Sequence, residues 1–576
     1  MFLGGFQARP ALSLAALLSL TGCAGQNRPL TGVQFACDDA TALEHPTLAS
    51  PAKGGPAWRE LTSPHFTLRT DLPSRCALAT MAEYEQTYAA LKELGFPFEG
   101  DPPGRVVLTM FARVRDFKQL IPDPGVAGRF SYSASPWENG KSSVMRWYDL
   151  GSMRETFTHE LTHHFVRFYY SQVPVWVNEG LADFYETMDV TGGKAELGAD
   201  NRGTRQLKPT RYEVLLGSGM TDHPTDMRGR HRYTLTTEML PSIRELDAMT
   251  AVEFYGYAAE GEEARTKVTF RNYTGAWAVV HFLRTGPQKY RTMFDAYLRL
   301  LAGGKSHRAA WESAFSGTTT MEIERAMLER LDDQHTPGLR TDYTYPPAPK
   351  IAERLMTDAE VHLAWIKARA LRVGDAPVGE DALDVEQALK SAPNDPEALF
   401  ARARLELMSG QPEAAEADAR RAMQLRPDEI RYVEGLVLIY TRLPPKDGEA
   451  QADAQKRLEE LLPRLTSPNA SPSALNTFAW IAAKRGRPEE GIGPSMRSVQ
   501  NDPGCWECYD TLAALLYQKN DIEAAIGAQQ LAMNLLPERA QVPAIGRRLQ
   551  QYKAALVAKR RASDPTSWKP PPIDLR

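Results

Sequence analysis

The sequence predicts three successive architectures: an α+β N-terminal subdomain, a mainly α domain body and an all-α solenoid. Short runs rich in β-branched and aromatic residues at 65–70 and 105–111 flank a helical stretch at 77–94, which indicates the α+β unit. Helical periodicity dominates from 152 to about 331. Prolines then recur at the ends of Ala-rich helices at nearly constant spacing, which indicates a stack of helical repeats.

Length and charge argue against a single-core protein and against a nucleic-acid binder. At 576 residues the chain is too long for one ordinary hydrophobic core, so several domains are expected. The 68 basic and 72 acidic residues nearly balance, with a net charge of -4, so no strong field attracts nucleic acid. Charge therefore predicts no nucleic-acid partner.

The N-terminus has the features of an export signal over residues 1–22. Arg9 precedes an apolar run at 11–20 that is too short to span a bilayer as a helix, and small residues follow the run. The sequence Leu-Thr-Gly-Cys at 20–23 resembles the lipobox of bacterial lipoproteins. The N-terminal segment is therefore predicted to be removed from the mature protein.

The lipobox resemblance implies that Cys23 is acylated and becomes the mature N-terminus. With Ala24 in the next position, it also implies a periplasm-facing lipoprotein of the outer membrane. The segment 23–56 is rich in Ala, Gly, Pro and Thr without periodicity, and it is predicted to be a flexible tether. A conventionally cleaved signal peptide with an incidental cysteine is the alternative interpretation.

Four further cysteines are present at Cys37, Cys76, Cys505 and Cys508. An even number in an oxidising compartment allows two disulfides. Cys505 and Cys508 form a CWEC sequence, but no predicted strand precedes it and it lies inside a helical repeat. A structural pair is therefore predicted there rather than a thiol redox site.

The segment THELTHHF contains the strongest chemical pattern in the chain. His159 and His163 stand four residues apart, and Glu160 directly follows the first, which is the HExxH pattern. Ser152 and Glu155 have capping-box spacing, so a helix is predicted to begin there. Both histidines then lie on one face of this helix, away from its apolar stripe, and Glu160 can reach a water molecule held by a metal ion.

Two histidines are an incomplete ligand set, because hydrolytic zinc commonly takes three protein ligands and one water. The segment VPVWVNEGLADFYE predicts a turn at Pro174 and a second helix that packs antiparallel to the first. This helix brings Glu179 back to the histidines, and Asp183, one turn further on, can orient a ligand imidazole. His164 faces the apolar side of the first helix and is predicted to pack in the core.

HELTH followed by WVNEGLADFYE resembles the gluzincin group of zinc metallopeptidases in the peptidase-MA-like superfamily. Carried over position by position, the resemblance implies that His159, His163 and Glu179 bind one Zn²⁺ per chain. It also implies that Glu160 is the general base and that Asp183 supports a ligand histidine. A zincin-like fold is expected for this part of the chain.

The segment NYTGAWAVVHFL is similar to the tyrosine-bearing YxKGA helix of M1 aminopeptidases. This similarity implies that Tyr273 stabilises the oxyanion, although the lysine of that motif is absent. The GAMEN motif of aminopeptidases is also absent, so aminopeptidase specificity is not implied. The resemblance covers roughly 58–331 and predicts a zincin-like metallopeptidase domain over 57–335.

A Pro-rich linker is predicted at 336–357, helical repeats at 358–560 and a C-terminal tail at 561–576. The repeat prolines are Pro393, Pro427, Pro463, Pro503 and Pro537, at intervals of 34, 36, 40 and 34 residues. Small residues recur at matched positions, with Ala403, Gly410, Ala415 and Ala422 in one unit and Ala513, Ala525 and Ala532 in another. About five units resembling the tetratricopeptide repeat (TPR) are therefore predicted, with a generic helical bundle as the alternative.

These patterns predict zinc-dependent peptide-bond hydrolysis by a lipid-anchored metallopeptidase of the cell envelope. The repeats are expected to recruit a peptide or protein substrate, or a protein partner. The alternative function is a catalytically inactive, peptidase-like scaffold or adaptor lipoprotein. Protein quality control in the envelope and proteolysis associated with the cell wall are physiological interpretations that rest only on location and on the repeats.

Overall fold

The structure is a computed structural model that describes most of the chain beyond residue 47. Described are residues 48–573 except 103, 122–127, 134–136, 138–139, 147–149, 171–172, 200–211, 217–230, 236–238, 257–258, 333–337, 348, 371–377, 443–447, 536–542 and 563–567. The predicted signal peptide at 1–22, the acylated Cys23 and most of the tether lie outside these residues. Within the described ranges, no helix has the length and apolar character needed to cross a bilayer.

Eleven strands are found in the described residues, and six of them form one mixed sheet. The strands are β1 (Arg59–Thr62), β2 (Phe66–Thr70), β3 (Val106–Phe111), β4 (Gly128–Ser133), β5 (Gly140–Arg146), β6 (Asp189–Thr191), β7 (Lys194–Leu197), β8 (Tyr212–Leu216), β9 (His231–Leu235), β10 (Leu339–Asp342) and β11 (Ala352–Leu355). The large sheet has the order β11-β1-β2-β3-β5-β4, and β2, β3 and β5 run parallel. Two smaller sheets have the orders β10-β7-β6 and β8-β9. The α+β character predicted for the N-terminal part is therefore present.

Ten helices in the described residues complete the domain body. They are α1 (Ser74–Leu94), α2 (Val114–Leu120), α3 (Leu150–Tyr169), α4 (Val175–Glu186), α5 (Ile243–Ala248), α6 (Ala251–Phe254), α7 (Glu262–Thr285), α8 (Gln288–Ala302), α9 (His307–Ala314) and α10 (Thr320–Asp332). The two helices predicted around the HExxH and NEG motifs correspond to α3 and α4.

The apolar stripe of α3 packs against the sheet side of the core. Phe157 stacks on Tyr84 of α1 with ring centroids 3.6 Å apart, and it lies 5.6 Å from the ring of Phe66 in β2. Phe165 packs against Tyr88 of α1 at 4.8 Å. Because one face of α3 is held in this aromatic cluster, the opposite face is directed toward α4.

Helix α4 lies between α3 and α7, and Gly180 explains how closely it approaches α7. A Cβ atom at Gly180 would lie 2.6 Å from the carbonyl oxygen of Ala276 and 2.6 Å from a methyl carbon of Val280. Any larger residue would therefore push the two helices apart. The glycine that follows Glu179 in the NEG motif thus has a packing role that positions the third ligand.

The segment predicted as a linker, 336–357, contributes two strands to the domain body. β10 pairs with β7, and β11 joins the edge of the large sheet by pairing with β1. The interpretation as a linker relied on proline density. Proline density does not indicate whether a segment pairs with strands that are distant in sequence. This stretch therefore ties the sheet to the helices that follow it.

The all-α solenoid predicted after this segment is confirmed. Its helices are α11 (Asp358–Arg369), α12 (Val378–Ser391), α13 (Pro396–Met408), α14 (Pro412–Leu425), α15 (Ile430–Arg442), α16 (Gly448–Leu461), α17 (Pro472–Lys484), α18 (Pro488–Asn501), α19 (Trp506–Gln518), α20 (Ile522–Asn534) and α21 (Pro543–Arg561). α11 to α20 form five consecutive helix pairs, and α21 packs on the last pair. The small residues Ala403, Ala415, Ala422, Ala513, Ala525 and Ala532 are all completely buried. Close helix contact requires small residues at these positions, which is why the repeat spacing was visible in the sequence.

Candidate metal centre

The two histidines of the HExxH segment converge on the carboxylate of Glu179. His159 Nε2 lies 3.5 Å and His163 Nε2 lies 3.6 Å from Glu179 Oε2. The two imidazole rings are nearly perpendicular, with centroids 4.8 Å apart. The helix period places both rings on the α4 side of α3, and the first half of α4 supplies the carboxylate.

The distances from the two imidazole nitrogens to Glu179 Oε2 fit the ligand spacing of a tetrahedral zinc ion. Zn–N and Zn–O bonds of about 2.0–2.2 Å place neighbouring tetrahedral ligand atoms about 3.3–3.6 Å apart. Within the described part of the chain, His159 Nε2 and Glu179 Oε2 are buried and lack a hydrogen-bond partner. Buried polar atoms are normally satisfied, so a bound cation would explain both. The chemistry of the donor set, two imidazoles and one carboxylate, also suits zinc.

The opposite nitrogens of both imidazoles are held by side chains of α4. His159 Nδ1 lies 3.1 Å from Glu186 Oε2 and 3.4 Å from Asp183 Oδ1. His163 Nδ1 lies 3.1 Å from Asn178 Oδ1. These oxygen acceptors favour the tautomer that carries the proton on Nδ1, so the Nε2 lone pairs are directed at the metal position.

The electrostatics of the cluster favour a positive charge at its centre. Burial alone raises the pKa of Glu179, but the two imidazoles and the Tyr255 hydroxyl outweigh this effect and lower the pKa to about 2. Burial lowers the pKa of His159, whereas the carboxylates of Glu179 and Glu186 raise it well above its usual range. The buried carboxylates therefore stabilise a cation between them, either a proton or a metal ion.

Glu160 and His164, the two residues next to the histidine pair on α3, are both buried. Glu160 is 5% exposed and follows His159 directly on α3. His164 is also buried, and its ring packs 5.9 Å from that of Phe165 on the apolar side. His163 thus contacts Glu179 and Asn178 of α4, whereas its neighbour His164 is buried next to Phe165.

Two tyrosines lie on the α6–α7 side of the centre. The hydroxyl of Tyr255 donates a hydrogen bond to Glu179 Oε1 at 2.6 Å. Tyr273 is 3% exposed and packs against Phe254 and Tyr255, with ring centroids 5.2 and 6.1 Å away. Tyr273 therefore lies next to the tyrosine that contacts the third ligand.

Sequence reasoning missed Tyr255, Glu186 and Asn178 as parts of this centre. Asn178 directly precedes Glu179 in the NEG motif, and Glu186 lies three residues after Asp183 on the same helix. The proximity of both residues in sequence to Glu179 and Asp183 could therefore have indicated that they lie near the imidazoles. Tyr255 is 76 residues from Glu179, and no periodicity relates the two.

The three cysteines that the structure describes are all disulfide-bonded. Cys505 and Cys508 form a disulfide at the N-terminus of α19, with Cα atoms 5.3 Å apart. Cys76 is also disulfide-bonded. Cys37 lies outside the described residues. The CWEC sequence thus forms a structural pair that caps a solenoid helix.

Comparisons with known proteins return matches among solved structures. No family model matches the chain. No curated protein matches it. One solved structure is the thermophilic TPR protein TTC0263 of Thermus thermophilus, with 19% identity, a TM-score of 0.26, and coverage of 31% of this chain and 91% of the other. Another is pilF of Pseudomonas aeruginosa, with 17% identity, a TM-score of 0.27, and coverage of 35% of this chain and 89% of the other. A third is the TPR domain of P58(IPK), with 13% identity, a TM-score of 0.15, and coverage of 54% of this chain and 90% of the other.

Proposed function

We propose that this protein is a zinc-dependent peptidase of the cell envelope. The observation that supports the proposal most directly is the convergence of His159, His163 and Glu179. Their three ligand atoms lie within 4.8 Å of one another in a buried, acidic setting. Three protein ligands leave a fourth zinc position for water, which is the arrangement of hydrolytic zinc sites.

A bound Zn²⁺ would supply Lewis-acid chemistry, polarising the scissile carbonyl and lowering the pKa of a water molecule. Glu160 accepts the proton of the attacking water and delivers it to the leaving amine. Asp183, Glu186 and Asn178 hold the two imidazoles in orientation. Tyr273 is the proposed donor to the oxyanion, as its motif resemblance implies.

The proposal includes location and partners. Acylation of Cys23 would tether the protein to the outer membrane, where its domains face the periplasm. The solenoid offers an extended inner surface of the kind that binds peptides or helices of other proteins. Loss of palmitate labelling in Cys23→Ser, with unchanged labelling of a matched Cys37→Ser variant, would support the anchor.

The decisive experiment separates metal binding from catalysis in purified protein. Glu160→Gln is expected to retain one zinc per chain and to lose roughly 10²-fold or more in kcat for a peptide library, because the general base is removed. His163→Ala is expected to lose both the metal and activity. Glu312→Gln is the matched control, since its carboxylate is exposed on α9 and pairs only with Arg308 among the described residues.

A catalytically inactive scaffold is the competing function, and the extended solenoid favours it. It predicts no zinc-dependent cleavage by the wild-type protein and equal behaviour of wild type and Glu160→Gln in cells. Absence of hydrolysis by the wild-type protein, measured together with zinc content, would support the scaffold. Affinity capture with Glu160→Gln then identifies the bound polypeptides in either case.

A further inference from the structure

The last helix of the solenoid, α21, carries charges of one sign only. Its 19 residues contain no aspartate or glutamate, and its cations are Arg547, Arg548, Lys553, Lys559, Arg560 and Arg561. The chain as a whole is close to neutral, with a net charge of -4. A helix of one charge sign in a balanced protein creates a local positive field that the total charge does not reveal.

The buried side of α21 packs on the preceding helix pair. Tyr552 stacks on Tyr517 of α19, with ring centroids 4.6 Å apart. Arg548 also lies on this side, where it is 5% exposed and its Nη2 lies 2.6 Å from Asp510 Oδ2. The remaining side is exposed and carries the cations Arg547, Lys553, Arg560 and Arg561. The packing of α21 therefore pairs one arginine internally and directs four cations to the surface.

Most of the exposed cations of α21 lack an acidic partner. Arg560 Nη2 lies 2.7 Å from Glu523 Oε1 of α20. Among the residues that the structure describes, Arg547, Lys553 and Arg561 have no ion-pair partner. A terminal helix of a solenoid needs a polar outer face for solubility, and interspersed charges of both signs would provide it. The single sign adds an attraction for anions that solubility does not require.

The exposed cations are spread along the whole helix and form a convex face. Arg547 and Arg561 are 14 residues apart, which is about 21 Å along the axis. At about 100° per residue, the four cations lie within an arc of roughly 140°. Val557 lies inside this arc and is 47% exposed. A single phosphate or carboxylate could contact only one or two of these cations, whereas a flat array of anions could contact all four.

We propose that this face of α21 binds the anionic headgroups of a phospholipid surface, with the helix axis parallel to that surface. Each Lys or Arg is attracted by the negative surface potential, and the exposed Val557 side chain enters the headgroup layer. The proposed acyl group on Cys23 holds one end of the chain and does not by itself orient the domains. The contact through α21 supplies a second attachment that fixes this orientation, and it does not depend on the peptidase function.

The test measures the partition of the purified full-length protein onto vesicles of two compositions. One contains phosphatidylcholine alone, and the other contains phosphatidylcholine with added phosphatidylglycerol. The ratio of the two partition coefficients cancels the contribution of an acyl chain, which enters both bilayers. Because each cation near an anionic surface contributes about fivefold, the double variant Lys553→Gln/Arg561→Gln is expected to lower this ratio by roughly 25-fold.

The matched control removes the same charge from another part of the protein. Arg308 of α9 and Arg340 of β10 are exposed cations, with side chains 87% and 74% exposed. The double variant Arg308→Gln/Arg340→Gln is expected to keep the wild-type ratio. An equal fall in both double variants would show that total charge determines binding, and this result would overturn the proposal. A wild-type ratio of one would overturn it as well.

Amide hydrogen exchange identifies the helix that touches the lipid and separates lipid from soluble polyanions. Exchange within 543–561 is expected to slow when the wild-type protein binds the anionic vesicles, and exchange in α11 is expected to stay unchanged. Unchanged exchange in α21, with slowing in other helices, would contradict the proposal. Equal slowing of α21 by soluble polyglutamate at the same salt and charge concentration would assign the face to acidic polypeptides instead of lipid.

Discussion

Two carboxylates contact the same imidazole nitrogen of His159. Substituting each in turn measures how much each contributes to zinc affinity at the proposed metal centre. Glu186 is nearer to His159 Nδ1, at 3.1 Å against 3.4 Å for Asp183. However, the side chain of Asp183 is 1% exposed, whereas that of Glu186 is 16% exposed. Charges that are shielded from water interact more strongly, so Asp183→Asn is expected to have the larger effect.

The magnitude follows from the role of such carboxylates at metal sites. Loss of a side chain that supports a ligand histidine weakens metal binding by roughly 10–100-fold. We expect Asp183→Asn to approach the upper value, about 2.7 kcal/mol, and Glu186→Gln to stay near the lower value, about 1.4 kcal/mol. Because both carboxylates act on one imidazole, the double variant is expected to lose less than the sum of the two.

Competition titration of the purified protein with a chromogenic zinc chelator measures these affinities. Glu312→Gln serves as the control, because it removes an exposed carboxylate that pairs with Arg308, and it should bind zinc like the wild type. Wild-type zinc affinity in Asp183→Asn would refute the assignment of this residue to the metal centre. A larger loss in Glu186→Gln than in Asp183→Asn would refute the argument from burial.

Three further predictions concern packing, protonation and the third ligand. Gly180→Ala places a Cβ atom 2.6 Å from a backbone carbonyl of α7, so the free energy of unfolding measured in urea should fall by about 1–3 kcal/mol. Gly527 has open space around it, so Gly527→Ala should raise the free energy of unfolding by up to about 1 kcal/mol. Equal changes in the unfolding free energy of the two variants would contradict the packing argument. Burial raises the pKa of Glu434 to about 7, although neighbouring hydroxyls lower it. The folded state therefore holds this proton more tightly than the unfolded state. The associated stability, at most about 3 kcal/mol, is complete below pH 4.5 and is lost as the pH rises through 7. Urea unfolding of Glu434→Gln between pH 4.5 and 8 should lack this component, and a slope like that of the wild type would argue against the shift. Tyr255→Phe removes the hydroxyl that donates to Glu179 and should weaken zinc binding about tenfold without altering the circular dichroism spectrum. Unchanged zinc affinity would remove Tyr255 from the metal centre.

The clustering of His159, His163, Glu179 and Asp183 was largely predictable because these residues follow local periodicity. The spacing of His159 and His163 places them on one face of a single helix, whatever the rest of the chain does. Glu179 and Asp183 are also one turn apart, and the short connection between the helices predicts an antiparallel pair. The predicted capping residues Ser152 and Glu155 lie inside α3, which begins at Leu150, whereas the turn at Pro174 directly precedes the observed start of α4 at Val175.

The sequence by itself determined which histidines and carboxylate come together, the helical repeats and the α+β start, because each depends on residue spacing within a single helix or strand. Only the tertiary structure decided that Tyr255 contacts Glu179, that residues 336–357 join two sheets and that Asp502 lies next to Arg167. Those contacts join segments that are distant along the chain. They depend on how whole elements pack, and no local period of the sequence encodes that arrangement.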